Sequence, residues 1–178
     1  MRIIVLMSCI FLINSCSAQK SQLFGTDNKK AFELFGQALQ QKDLLEYDKA
    51  LQLLEKAIAK DPNYTDAFDL QGTLYLLVGK KPEAKTSFEQ VLRLSPEHPY
   101  ASLELAKLHF EEQDFAAVKK LMHPILQLGP RSPTYMEAQK LLDNAEFAEV
   151  AVKNPVPYEP TNLGNGVNTI EEEYFPGL

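Results

Sequence analysis

The chain has 178 residues, of which 45% are hydrophobic and 24% charged, and its formal net charge is −6. That length suits one domain with tails, and the acidic balance excludes a nucleic-acid binder that works through a basic footprint. Cys9 and Cys16 are the whole cysteine supply and both lie near the start, so neither a disulfide framework nor a cysteine-held metal site is expected in the folded part.

The first residues read as an address. Arg2 gives a positive start, and residues 3–13 form an apolar run broken only by Ser8 and Cys9. Such a run is too short to span a bilayer as a helix, which takes about 20 apolar residues, but it suits the apolar region of a secretory signal. The string Leu12-Ile13-Asn14-Ser15-Cys16-Ser17 closes it. This resembles a bacterial lipobox, although Asn14 is bulkier than the usual residue there. The resemblance implies a signal peptide over residues 1–15, cleavage before Cys16 and lipid on Cys16, which would hold the protein on a membrane through several acyl chains. The alternative is an ordinary signal with an incidental cysteine. Residues 16–28 are polar and turn-prone, as a flexible tether would be.

Next comes a repeat. Pro62, Pro96 and Pro130 are spaced 34 residues apart, a period that marks the tetratricopeptide helix-turn-helix. The middle unit carries Phe68, Gly72, Tyr75, Ala84, Phe88 and Pro96 at the motif's large, small, large, small, large and proline places, with Gln71 and Val91 as departures. The third reads Leu105, Ala106, His109, Val118, Met122, Ile125 and Pro130, with Ser102 where an aromatic is expected. The first reads Phe32, Phe35, Gly36 and Leu39, then Ala50, Leu54, Ala57 and Pro62. Gly36 to Ala50 is two residues longer than Gly72 to Ala84, which predicts an insertion in the turn at 42–47. Gly36, Gly72 and Ala106 are expected to let paired helices approach closely.

Pro82, Pro99 and Pro133 suit first-turn positions, where no donor is needed. Pro124 falls inside the last helix of the third unit and predicts a kink or an early end. Residues 133–152 form one more helical pattern, with Ala138, Leu141, Leu142, Ala145, Ala148 and Val152 on one face, as expected of a helix that covers the end of a stack. The sequence is thus read as all-α: a tetratricopeptide (TPR) helical-hairpin solenoid of three repeats plus a terminal capping helix over residues 29–152, behind a signal peptide and ahead of an irregular C-terminal tail.

The resemblance also implies where binding occurs, because in this family the first helix of each pair lines a concave groove. The inner residues expected from the motif are Lys30, Glu33, Gln37, Asp66, Asp69, Thr73, Leu76, Tyr100, Leu103, Lys107 and Phe110. Tyr100 is the expected exposed anchor. Leu103 and Phe110 stand equally as groove side chains or as packing between the third pair and the terminal helix. One version of the family clamps chaperone C-terminal carboxylates with cations at fixed places. Those places hold Glu33, Gln37, Leu70, Tyr100 and Glu104 here, so that activity is not expected.

No chemistry is advertised. His98, His109 and His123 are 11 and 14 residues apart, unsuited to metal ligation from one helical face, and His109 sits at a packing position. No phosphate loop, nucleophile elbow or Cys-His arrangement appears. Neither an enzyme, nor a cofactor, nor a metal site is expected.

After Lys153 the composition changes to prolines, asparagines and glycines, and residues 153–178 read as a linker. Pro157, Pro160, Asn162, Leu163, Gly164, Val167, Asn168, Thr169, Glu173, Tyr174, Phe175 and Pro176 together resemble the entry into a PD40 (WD40-like) β-propeller. The same junction occurs in PorE-like outer-membrane lipoproteins of Bacteroidetes, which join TPR, propeller and OmpA-like domains and include members of the type IX secretion machinery. The resemblance implies a non-catalytic scaffold, lipid-anchored to the outer membrane and facing the periplasm. It would bind a protein or peptide in its groove, in envelope assembly or secretion. The alternative is a structural spacer between the lipid and downstream domains.

Overall fold

A computed structural model describes residues 25–155, which form seven helices: α1 (Lys29–Asp43), α2 (Tyr47–Lys60), α3 (Thr65–Leu77), α4 (Lys81–Leu94), α5 (Pro99–Glu111), α6 (Phe115–Gln127) and α7 (Tyr135–Lys153). The signal peptide, Cys16 and the propeller-like string after 155 lie outside the described residues. Local chemistry sets several of the boundaries. The Asn28 side chain accepts from the backbone N–H groups of Lys30 and Ala31 at the start of α1, and Asp114 does the same for Ala117 in α6, which satisfies donors that a helix start leaves free. Pro82 and Pro99 stand in the first turns of α4 and α5. Pro133 does not, because α7 begins two residues after it at Tyr135.

Three hairpins, α1–α2, α3–α4 and α5–α6, share one turn. In each, a residue with positive φ follows the first helix by two positions: Leu45 (62°), Gly79 (75°) and Gln113 (61°). The next residue then donates back across the turn, Glu46 to the Gln41 carbonyl, Lys80 to Tyr75 and Asp114 to His109, at 2.8 to 2.9 Å. This is the bonding of a Schellman C-cap, in which a left-handed residue lets two free carbonyls find donors.

The three positive-φ residues are spaced 34 apart, like the prolines, and each turn spans three residues. No insertion exists in the first hairpin. The small residue that matches Gly72 is therefore Ala38, fully buried, and not Gly36. A Cβ placed on Gly36 meets nothing within 4 Å, whereas one on Gly72 would lie 2.8 Å from the Phe88 ring. The expected register of the first unit was two residues out.

The hairpins stack through repeated positions. Ala67 and Leu74 of α3 bury against Ala38, Leu51 and Leu54, while Ala101, Leu105 and Leu108 of α5 bury against Ala84, Phe88 and Val91. The end helix α7 does the same for the third hairpin, burying Ala138, Leu142 and Ala145 against Phe115, Met122 and Ile125. Each hairpin thus completes its neighbour's core, as expected of a solenoid. α6 runs through Pro124 and ends at Gln127, three residues before Pro130, where α2 and α4 each end two before their prolines. Val152, expected on the covering face of α7, is exposed, as are Met136, Phe147 and Val150.

Candidate binding groove

The inner face is built from one stripe on each of α1, α3 and α5. Residues recurring at 3.6-residue spacing place Asp66, Asp69, Thr73 and Leu77 on a single side of α3, and steps of 34 carry that stripe to its neighbours. On α5 it becomes Tyr100, Leu103, Lys107 and Glu111. On α1 it becomes Phe32, Phe35, Leu39 and Asp43. Glu33 and Gln37, expected on this surface, therefore lie elsewhere. With Gln40 they hold the positions that α3 and α5 bury against the preceding hairpin, and all three are exposed. Their polarity suits the open end of a stack, where no further hairpin covers them. Lys30 belongs to that side too and pairs with Glu33 at 3.0 Å.

Two other expected groove residues are spent on packing. Leu103 is 1% exposed, held against α6 and α7, and so is closed to a partner. Phe110 packs at the edge of the same cluster, its ring edge-on to Phe115 at 5.7 Å. Both follow from α7, which takes the place a fourth hairpin would occupy. The aromatic and aliphatic surface that remains is Phe32 at 42% exposure, Tyr100 at 37% and Leu77 at 58%, with Leu76 half-buried. Tyr100 is steadied by a T-shaped contact with Phe88 at 6.4 Å. Phe32 and Leu77 were missed by the sequence reading; subtracting 34 from Asp66, the residue 34 before Tyr100, finds the first.

The polar groups differ in how they are held. Lys107 bridges Glu104 and Glu137, each at 2.7 Å. Burial works against its charge, but these two bonds outweigh it and raise its pKa. Thr73 donates to the backbone carbonyl of Asp69 at 3.0 Å. Asp69 is half-buried, with one carboxylate oxygen out of solvent and bonded to no protein group. Desolvation raises its pKa, His98 opposes, and Asp66 and Glu104 add to the rise. Gly25 lies against the Asp66 carboxylate and the Tyr64 ring at the edge of this surface, in a positive-φ conformation that leaves no room for a side chain.

In the corrected register, the five places a carboxylate clamp would fill with polar and cationic groups hold Phe35, Leu39, Leu70, Tyr100 and Glu104. One acid stands there rather than two, and still no cation. Among the described residues no group of three His, Cys, Asp or Glu side chains could hold a metal ion, and no helix is long and apolar enough to cross a membrane.

Comparison with known proteins agrees with this architecture. Two tetratricopeptide-repeat family models match residues 21–64 and 75–142. The tetratricopeptide repeat and J domain-containing co-chaperone DNJ1 of Fusarium oxysporum is 33% identical over 109 residues, which is 61% of this chain and 20% of that protein. This chain therefore spans about a fifth of that relative. The first TPR domain of Spaghetti (RPAP3), bound to the HSP90 peptide SRMEEVD, superposes with a TM-score of 0.61 at 21% identity, covering 71% of this chain and 98% of that one. The Yersinia enterocolitica type III secretion chaperone SycD, in complex with a peptide of the translocator YopD, gives 0.58 at 15% identity, covering 66% and 92%. With the 34-residue frame, its shared turn and the interlocking hairpin cores, these matches show that the chain is a tetratricopeptide-repeat protein.

Proposed function

We propose that this chain is a non-catalytic scaffold that receives a segment of another protein on its inner face. Lipid on Cys16 holds it at the outer membrane, facing the periplasm, where it serves envelope assembly or secretion. The observation that carries the first part is the row of apolar side chains left open on the inner stripe, Phe32, Leu77 and Tyr100, on a backbone fixed by packing on its other sides. Exposed aromatics on a rigid support are the usual anchors of peptide recognition. The RPAP3 and SycD domains, which share this fold, are each seen with a peptide bound. The anchoring part rests on the lipobox-like string ending in Cys16. The envelope part rests on the resemblance of the tail to PD40 and OmpA-family proteins.

The test is comparative. Detergent-solubilised envelope passed over the immobilised wild-type chain and over a Tyr100→Ala, Leu77→Ala chain should give a partner that the variant retains at least about tenfold less well, since each anchor is worth roughly 1–2 kcal/mol. Equal retention, combined with a phenotype on shortening the repeat array, would favour the spacer reading instead. For the anchor, cells fed radiolabelled palmitate should label the wild type and leave Cys16→Ala unlabelled and released from the membrane fraction.

A further inference from the structure

The inner face contains a row in which an acid stands between two aromatics. Phe32, Asp66 and Tyr100 are 34 residues apart and so occupy the same level on α1, α3 and α5, whose neighbours in the stack are about 10 Å apart. Asp69 lies one turn further along α3. Neither Asp66 nor Asp69 belongs to an ion pair among the described residues. The lysine of the same surface, Lys107, is already committed to Glu104 and Glu137, and Lys42 lies 3.3 Å from Asp43. An anionic partner would therefore meet uncompensated like charge, while the buried, unbonded oxygen of Asp69 is a group whose desolvation remains unanswered within the protein.

We propose that the partner segment carries an arginine, seated with its guanidinium against Asp66 and Asp69 and flanked by apolar side chains that lie on the Phe32 and Tyr100 rings. This rests on the reading of the inner face as the docking surface and names the chemistry of its occupant. Arginine fits better than lysine because a planar guanidinium can pair with a carboxylate and lie over an aromatic face at once. The rise in the Asp69 pKa, caused first by burial, has the sign expected where a cation from outside would restore the charged form. The acidic run Glu171, Glu172 and Glu173 in the chain's own tail has the wrong charge for this row.

The experiment uses the full chain and short fluorescein-labelled peptides that share leucine anchors and differ only in carrying arginine, lysine or glutamate between them. Fluorescence anisotropy should rank arginine above lysine, with glutamate about tenfold or more weaker than arginine. Asp66→Asn with Asp69→Asn should weaken the arginine peptide by about tenfold while the thermal melt shows the fold intact. Glu55→Gln with Glu89→Gln, an equal change of charge on α2 and α4, should shift it by less than about twofold. Arginine and glutamate peptides of equal affinity would overturn the proposal, as would no binding of the arginine peptide or equal losses from the two double variants. If Tyr100→Ala weakens all three peptides alike while charge makes no difference, the groove survives and the arginine assignment falls. If the aspartate changes act but Tyr100→Ala does not, the acid pair stands and the aromatic anchor falls.

Discussion

The second and third hairpins have the same frame and different fillings. In both, the first helix ends in a left-handed residue, Gly79 or Gln113, and the returning backbone bonds match in partners and length. Inside the second, Gly72 faces the Phe88 ring, so the smallest residue meets a very large one. Inside the third, Ala106 and Met122 hold the corresponding places, and the first hairpin has Ala38 and Leu54. Volume removed from one helix is returned by the other, as close packing demands. The third hairpin departs at Ser102, where the first has Leu34 and the second Phe68. A cleft of about 160 Å³ lies beside it, lined by Pro96, Glu97, Pro124, Ile125, Gln127 and Leu128. The third hairpin instead draws its core from α7, through Leu103 and Ile125. The comparison teaches that the turn and the small-with-large pairing specify the hairpin, while its remaining core can be supplied by whatever stacks on it.

The largest effect should come from removing the second hairpin's tightest fit. Gly72→Val would drive branched carbon atoms into a ring that is fully buried and cannot retreat, the first Cβ already falling within 3.0 Å of three ring atoms. Overpacking of this kind should cost about 2–3 kcal/mol, seen as a fall in Tm of roughly 6–10 °C. The double change Gly72→Val, Phe88→Leu should recover part of that loss, because it moves the second hairpin towards the pairing used by the first. An additive double variant would break the volume argument.

A smaller and opposite effect is expected in the third hairpin. Ser102→Leu places a side chain of the kind found at Leu34 beside the cleft under Pro124, and filling it should stabilise the protein by about 1 kcal/mol. Chemical denaturation with the slope unchanged would report this as a higher midpoint. Unchanged or lower stability would mean that Pro124 and Leu128 have already set a shape in α6 that the motif's usual large residue does not fit.

Much of this was legible because the 34-residue spacing of Pro62, Pro96 and Pro130 requires no knowledge of side-chain contacts. The first hairpin was misread for a physical reason. A glycine in a helix is normally a sign of close approach, so Gly36 drew the alignment to itself, and Ala38 does the same work less visibly. The turn could have corrected it, but only Gly79 announces a left-handed residue; Leu45 and Gln113 adopt that conformation against their own preference. The two-residue slip then moved the expected groove of α1 from Phe32, Phe35 and Leu39 to Lys30, Glu33 and Gln37, replacing apolar side chains by polar ones. Leu103 was unreadable from the motif alone, since its burial depends on where α7 lands.

The sharpest check on that register is also the gentlest. Gly36 and Gly72 look alike in sequence, yet they are 36 residues apart and so cannot share a place in a 34-residue frame. An added Cβ at Gly36 touches nothing within 4 Å. Gly36→Ala should therefore gain helix propensity with no packing cost, about 0.5–1 kcal/mol of stability, and raise Tm by a few degrees. A destabilised Gly36→Ala would place a neighbouring side chain against that position, restore the two-residue insertion, and return Glu33 and Gln37 to the inner face. Stabilisation leaves the apolar stripe of α1 where the turn geometry puts it, alongside Asp66 and Tyr100.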